Sequence, residues 1–233
     1  MLSSRPWIVQ PYRPITLAEA NLWTVDGDMR LPGGMFPRKM ALMRLSDGRI
    51  VIHSPIPLNE SDMAEIERWG KPAFCIVPNR RHRLDASAFR KRYPSLKMLC
   101  PAAARIRVEK VVQVDGGYEM LPTEIMWQTL ATTDGEAAFT FRNGERGSIV
   151  FGDVLFNLPH LTGALGLIFR IGSTGGPRVT PLMKLAVVAD KRRLTSQLTE
   201  LSATPGLERL VPGHGDNIES NAVATLRAVA NRM

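Results

Sequence analysis

The stretch Gly147-Ser-Ile-Val-Phe-Gly-Asp153-Val-Leu-Phe-Asn157 is an apolar run that is broken by one glycine and one carboxylate. Its first half has the β-branched and aromatic residues that are typical of a buried strand. Gly152 allows a close turn of the backbone, so Asp153 stands where the strand must end. A carboxylate at such a point faces a cleft rather than the apolar interior, because its unpaired burial is costly. An isolated Gly-Asp pair is, however, also typical of an ordinary turn.

A second stretch of the chain repeats this pattern. Leu210-Val-Pro-Gly-His214-Gly-Asp216 again leads from apolar residues into a polar side chain that stands between glycines. Two such stretches in one chain favour a shared site over two unrelated turns. We therefore predict that Asp153 and His214 lie at the ends of different strands and that their side chains converge.

Together, these two stretches resemble the last two metal-binding segments of the metallo-β-lactamase superfamily. In that superfamily the aspartate bridges two metal ions and the histidine completes the second metal site, which implies these roles for Asp153 and His214. Similarity to a divergent branch of the superfamily extends to other parts of the chain. These parts are Leu22-Trp-Thr-Val-Asp26, Met40-Ala-Leu-Met-Arg-Leu-Ser-Asp-Gly48, His53-Ser-Pro-Ile-Pro57, and Val77-Pro-Asn79 followed by His82.

The resemblance covers roughly residues 20–230. It implies a fold of the α/β (α+β) class, a metallo-β-lactamase-like αββα sandwich in a single domain over residues 1–233. Residues 1–20 contain three prolines and are predicted to form an extended N-terminal arm.

The main metal-binding segment of the superfamily is degenerate in this chain. That segment is His-x-His-x-Asp-His directly after a core strand, which corresponds here to the loop over residues 78–85. The resemblance places Asn79, Arg81, Arg83 and Leu84 at the four ligand positions, and none of them is a usual metal ligand. A further histidine of the family pattern corresponds to residues 131–134, where the sequence is Ala-Thr-Thr-Asp.

A hydrolytic zinc site needs about three protein ligands and an open position for water. His82 is the first candidate for a third ligand beside Asp153 and His214, because it lies in the loop of the degenerate segment. His53 and His160 are further candidates. We predict at most one metal ion, zinc or another divalent metal, present at well below one equivalent in the purified protein.

The loop also carries three arginines, Arg80, Arg81 and Arg83. A guanidinium group can neutralise Asp153 in place of a metal ion, or it can bind a phosphate or carboxylate ligand bidentately. An exposed basic loop without a ligand is the third alternative. The residues predicted to bind an anionic ligand are Asn79, Arg81, Arg83 and His53.

Three functions are compatible with these features. The first is a metal-dependent hydrolase with a reduced metal site. The second is a non-catalytic relative that uses the former active-site pocket to bind an anionic small molecule or a protein. The third is nucleic-acid binding, which the net charge of +8 permits. It is the weakest, because no interleaving of aromatic and basic residues supports it.

The composition is that of a globular protein and indicates the compartment in which the chain folds. The 233 residues are 44% hydrophobic, which is typical of a globular protein that can bury a core. Cys75 and Cys100 have neither metal-site spacing nor a disulfide framework, so we predict buried free thiols in a reducing cytoplasm. The longest charge-free run, residues 154–169, is too short and too interrupted to span a bilayer. The sequence does not indicate an oligomeric state.

Periodicity and turn signals predict alternating strands and helices. Strands are predicted at residues 22–25, 40–45, 49–53, 73–77, 97–100, 108–114, 125–132, 137–141, 148–151 and 207–211. Helices are predicted at residues 63–69, 86–93 and 219–233, and residues 181–202 are predicted to be mainly helical. Helices that lie between strands imply a βαβ arrangement. The strands at residues 137–141 and 148–151 are predicted to pair as a hairpin around Asn143-Gly144. Residues 27–37 are predicted to form a loop, and the glycine-rich segment 172–176 is predicted to be a mobile cover over a pocket.

Overall fold

The computed structural model describes residues 5–31, 34–158 and 175–233. Contacts within the chain define two compact units. The first unit comprises residues 1–27 and 39–124, and the second comprises residues 28–38 and 125–233. The single domain over residues 1–233 therefore stays a prediction, and each unit is described separately.

The first unit contains most of a six-stranded sheet in which the strands follow one another in chain order. Its strands are β1 (Thr16–Glu19), β2 (Leu22–Leu31), β3 (Gly34–Arg44), β4 (Arg49–His53), β5 (Lys71–Ile76) and β6 (Lys97–Leu99). Its helices are α1 (Glu60–Trp69), α2 (Ala86–Arg92) and α3 (Arg105–Val108). β4, β5 and β6 are parallel, and the connections between them contain α1 and α2. This is the predicted βαβ arrangement, in which the segments after β4 and β5 leave the sheet at one edge.

The predicted N-terminal arm over residues 1–20 ends in a β-strand that belongs to the sheet. Residues 5–15 have no regular secondary structure apart from a bridge between Tyr12 and Gly27. Residues 16–19 then form β1, which pairs antiparallel with β2. The indole of Trp7 anchors the arm, because its Nε1 donates to the carbonyl oxygen of Leu58 at 2.9 Å.

Two predictions of local structure in this part of the chain are wrong. Residues 27–37 lie mainly within β2 and β3 rather than in a loop. Gly27 serves close packing instead of a turn, since an added Cβ would lie 3.3 Å from the side chain of Ile56. Residues 108–114 are not a strand, because the amides of Val111 and Val112 both donate to the carbonyl of Val108. The apolar run is thus buried as a compact turn.

The strands of the second unit are β7 (Met126–Thr129), β8 (Ala137–Asn143), β9 (Arg146–Val150), β10 (Phe156–Asn157), β11 (Leu207–Val211) and β12 (His214–Gly215). Four of them form a sheet in the order β11-β9-β8-β7, and β10 pairs separately with β12. Its helices are α4 (Pro181–Ala186), α5 (Lys191–Leu201) and α6 (Ala222–Asn231). The predicted hairpin of β8 and β9 is confirmed, and Gly144 in its turn has a φ of 60°.

The core of the second unit lies between this sheet and the last two helices. Leu194 and Leu198 of α5 and Leu226 of α6 are fully buried beside Ile149 of β9. Leu194 and Leu198 are four residues apart, which places them on the same face of α5. This packing fixes β9 and β11, the strands that precede Asp153 and His214.

Both cysteines are free and buried, as predicted. Burial raises the pKa of the Cys100 thiol to about 11, although the nearby Arg105 opposes the shift. Burial raises the pKa of Cys75 further. Both thiols are therefore protonated at neutral pH, which suits core packing rather than nucleophilic catalysis.

The helices within the described residues are too short or too polar to cross a lipid bilayer.

Candidate functional site

Two adjacent parallel strands of the second unit bring Asp153 and His214 together. β9 and β11 are paired so that Val150 stands opposite Val211. Asp153 and His214 each follow three residues later, at the carboxyl ends of their strands. The imidazole Nε2 of His214 lies 2.9 Å from the carboxylate Oδ1 of Asp153. The predicted convergence of these side chains is confirmed.

The glycines of the two stretches permit this close approach. A Cβ on Gly213 would lie only 2.3 Å from the carbonyl oxygen of Gly152, so a side chain does not fit there. Beyond this contact, the short strands β10 and β12 pair in parallel, with Phe156 opposite His214. The backbone on both sides of the Asp153–His214 pair is therefore fixed.

The imidazole of His214 has a defined tautomer. Its Nδ1 lies 2.7 Å from the carbonyl oxygen of Pro37, and because a carbonyl only accepts, Nδ1 must carry a hydrogen. The ring of Phe156 stacks on the imidazole with a centroid distance of 4.5 Å. The side chains of His214 and Asp153 are 7% and 4% exposed, so bulk water screens their interaction little.

This tautomer places two acceptors face to face. With the hydrogen on Nδ1, a neutral His214 presents a lone pair at Nε2 to the carboxylate oxygen of Asp153. Two such atoms at 2.9 Å repel each other unless a proton or a metal cation lies between them. Metal-binding histidines usually donate their second ring N–H to a carbonyl or carboxylate, as His214 does to Pro37. The pair therefore fits a metal ion.

Glu136 is a residue of this site that sequence reasoning missed. It is fully buried, and its Oε2 accepts a hydrogen bond from the backbone amide of Asp153 at 3.2 Å. Its own amide donates to Oγ1 of Thr132 at 3.0 Å. Glu136 thus positions Asp153. The available signal was a carboxylate directly before the apolar residues of β8 and two residues after the position where the family pattern has a histidine.

The first unit contains a hydrogen-bonded chain of two histidines and a serine. Oγ of Ser54 lies 3.3 Å from Nδ1 of His53 and 2.8 Å from Nδ1 of His82. Ser54 has a φ of 57°, a left-handed conformation that is uncommon for a residue with a side chain. A hydroxyl donates only one hydrogen, so at most one of the two Nδ1 atoms accepts from Ser54, and at least one of them donates to it. The tautomers of His53 and His82 are therefore coupled.

The loop after β5 is held by Asn79, which is 1% exposed. Its side-chain carbonyl accepts from the amides of Arg81 at 2.8 Å and His82 at 3.3 Å. Asn79 thus has a clear structural role in shaping the loop. Arg83 donates from Nη1 to the carbonyl oxygen of Arg107. The predicted contact between a loop arginine and Asp153 and the predicted binding of an anion by these residues stay predictions.

Two other sequence predictions concern residues that lie outside the described parts of the chain. These are His160 as a third ligand and, apart from residues 175–176, the glycine-rich cover over residues 172–176.

Solved structures of metallo-β-lactamases share the fold of this chain. The crystal structure of the DIM-1 metallo-β-lactamase has a TM-score of 0.62 and 11% sequence identity, covering 97% of this chain and 99% of that one. FIM-1 from Pseudomonas aeruginosa, in its mono-zinc form, has a TM-score of 0.60 and 10% identity, covering 99% and 98%. A metallo-β-lactamase from Hirschia baltica has a TM-score of 0.58 and 9% identity, covering 95% and 98%.

No protein-family model and no curated protein matches the chain. The likeness of the solved structures, at such low identity, establishes the fold rather than the activity. The predicted α/β fold of metallo-β-lactamase type is confirmed.

Proposed function

We propose that this protein is a metal-dependent hydrolase with a reduced, single-metal site built on Asp153 and His214, and that His82 supplies the third ligand. The observation that carries the proposal is the hydrogen bond from Nδ1 of His214 to the Pro37 carbonyl. That bond directs the lone pair of Nε2 toward the carboxylate of Asp153. Two imidazoles and one carboxylate form a donor set that is typical of catalytic zinc sites.

His82 has the properties of a third ligand. Its Nδ1 is engaged by Ser54, so its Nε2 is the nitrogen that would bind the metal. If Nε2 of His82 held a metal ion, its Nδ1 would carry the hydrogen and donate to Ser54, and the hydroxyl of Ser54 would then donate to His53. In this arrangement Ser54 and His53 act as positioning residues for His82.

The surroundings of the Asp153–His214 pair suit a cation. Two buried carboxylates, Asp153 and Glu136, are linked through the backbone amide of Asp153. Both carboxylates would attract a cation bound beside them. The rings of Phe36 and Phe156 contact the imidazole of His214 and shield it from water.

A metal ion bound here would supply an activated water molecule and polarise an electrophilic carbonyl or phosphoryl group. A second metal is not expected, because Asn79, Arg81 and Arg83 stand where the resemblance implies ligands for the other ion. The mono-zinc form of FIM-1 shows that one protein of this fold holds a single zinc ion.

Activity should depend on both a metal ion and Asp153. We expect metal-free protein to hydrolyse a chromogenic ester, phosphodiester or β-lactam substrate only after addition of zinc or manganese. Asp153→Asn should lower that rate about 100-fold or more, because an amide is a poor ligand for zinc. Asp216→Asn is the matched control. Asp216 is exposed and lies in the same segment as His214, so the rate should stay within about twofold.

A rate that is equal with chelator and with metal, or equal in the two variants, would remove the hydrolase proposal. The alternative of a non-catalytic, anion-binding relative would then be favoured by the arginines of the loop over residues 78–85.

We also propose a cytoplasmic location. It is supported by two cysteines that are buried and unpaired, as is usual in a reducing compartment.

A further inference from the structure

A basic pocket lies within the first unit, between the N-terminal arm, the loop after β5 and the start of α2. Its volume is about 580 Å³. The lining residues are Arg5, Pro6, Arg80, Arg81, Arg83, Leu84, Ser87 and Val111. Half of them are arginines, and none of these lining residues is acidic. Such a surface attracts an anion with several negative charges.

The carboxylate of Asp85, beside the pocket, orients the side chain of Arg5 and is buried below the pocket surface. Asp85 lies 3.2 Å from Nε of Arg5 and is only 1% exposed. This contact engages one edge of the Arg5 guanidinium, whereas a guanidinium has donors along its other edges as well. Asp85 therefore holds Arg5 at the pocket while leaving it able to bind an anion.

The backbone around the pocket is fixed before any ligand arrives. The amide of Arg5 donates to Oγ of Ser87 at 3.2 Å, which attaches the arm to α2. The side chain of Asn79 holds the amides of Arg81 and His82, and Arg83 donates to the carbonyl of Arg107. Ordering a ligand in such a pocket requires little further ordering of the protein.

We propose that this pocket binds a small phosphorylated ligand, with two phosphoryl groups or one phosphoryl group and a carboxylate. Guanidinium groups match phosphate oxygens bidentately, and four of them exceed what a single monoanion requires. The pocket volume lies in the range of small-ligand sites, and Pro6, Leu84 and Val111 offer apolar surface to an organic part. The proposal uses none of the three proposed metal ligands and does not rest on hydrolase activity.

The test uses inorganic pyrophosphate as the probe, with the full chain in buffer that contains EDTA. We expect saturable binding by isothermal titration calorimetry at low ionic strength. The double variant Arg81→Gln/Arg83→Gln should bind at least about tenfold more weakly, because charge-assisted hydrogen bonds are lost. Arg192→Gln/Arg193→Gln is the matched control, since both residues are exposed on α5 and the charge change is the same. It should bind within about twofold of the parent chain.

The single variant Arg81→Gln distinguishes a loss of pyrophosphate binding from misfolding of the double variant. Arg81 is exposed, so its replacement should leave the thermal unfolding midpoint unchanged while still weakening pyrophosphate binding. Three results would overturn the proposal. They are an absence of saturable binding, an equal loss in the α5 control, and tighter binding of a single-stranded oligonucleotide than of pyrophosphate. The EDTA keeps these outcomes independent of the proposed metal site.

Discussion

Replacement of His214 by Ala is expected to lower the affinity for zinc about 100-fold or more. His214 supplies one of only three proposed ligands, and the remaining two cannot hold zinc tightly or orient it. Even the loss of a hydrogen bond to a ligating side chain typically costs 10- to 100-fold in metal affinity. Competition with a fluorescent zinc chelator measures the effect in metal-free protein.

The control for this variant is Asp216→Asn, at an exposed position two residues after the buried His214. It should leave zinc affinity unchanged within about twofold. His82→Ala should lower the affinity as His214→Ala does if His82 is the third ligand. An unchanged affinity in His82→Ala together with a large loss in His214→Ala would show that another residue completes the site. Unchanged affinity in both would remove the site.

Replacement of Gly213 by Ala is expected to destabilise the fold by about 3 kcal/mol, because overpacking forces the backbone to shift. The new Cβ would lie 2.3 Å from the carbonyl oxygen of Gly152, and neither backbone segment can move without disturbing the pairing of β9 with β11. The same shift would separate Asp153 from His214. Zinc affinity should therefore fall along with stability. Urea unfolding followed by circular dichroism gives the free energy of unfolding.

Gly147→Ala is the matched control in the same sheet. A Cβ at Gly147 would meet its nearest backbone oxygens at 3.4 Å, and the φ of Gly147 is not positive. We expect a loss within about 1 kcal/mol and an unchanged zinc affinity. Equal unfolding midpoints for the two variants would contradict the assigned role of Gly213.

The central pair of the site was predictable because its signal is local. Each of Asp153 and His214 follows a short apolar strand and a glycine, and the strands are neighbours in one parallel arrangement. The hairpin of β8 and β9 was predictable for the same reason, since its turn contains Asn143 and Gly144. Such patterns reflect the backbone geometry of a few consecutive residues.

The supporting contacts were not predictable because they join distant residues. Pro37 and His214 are 177 positions apart, and residues 27–37 were predicted to be a loop. The Pro37 carbonyl belongs to β3, and β3 is held in place by its pairing with β2. The role of Ser54 was not predictable, because a hydroxyl that bridges two imidazoles leaves no distinctive spacing in the sequence.

Zinc titration of the wild-type chain tests the proposed single-metal site most directly. Protein purified without added metal or chelator should carry well below one zinc per chain by elemental analysis. Metal-free protein should then bind one zinc ion in a titration that saturates at that stoichiometry. Two tightly bound zinc ions per chain, or no saturable binding at all, would contradict a reduced site built on Asp153 and His214.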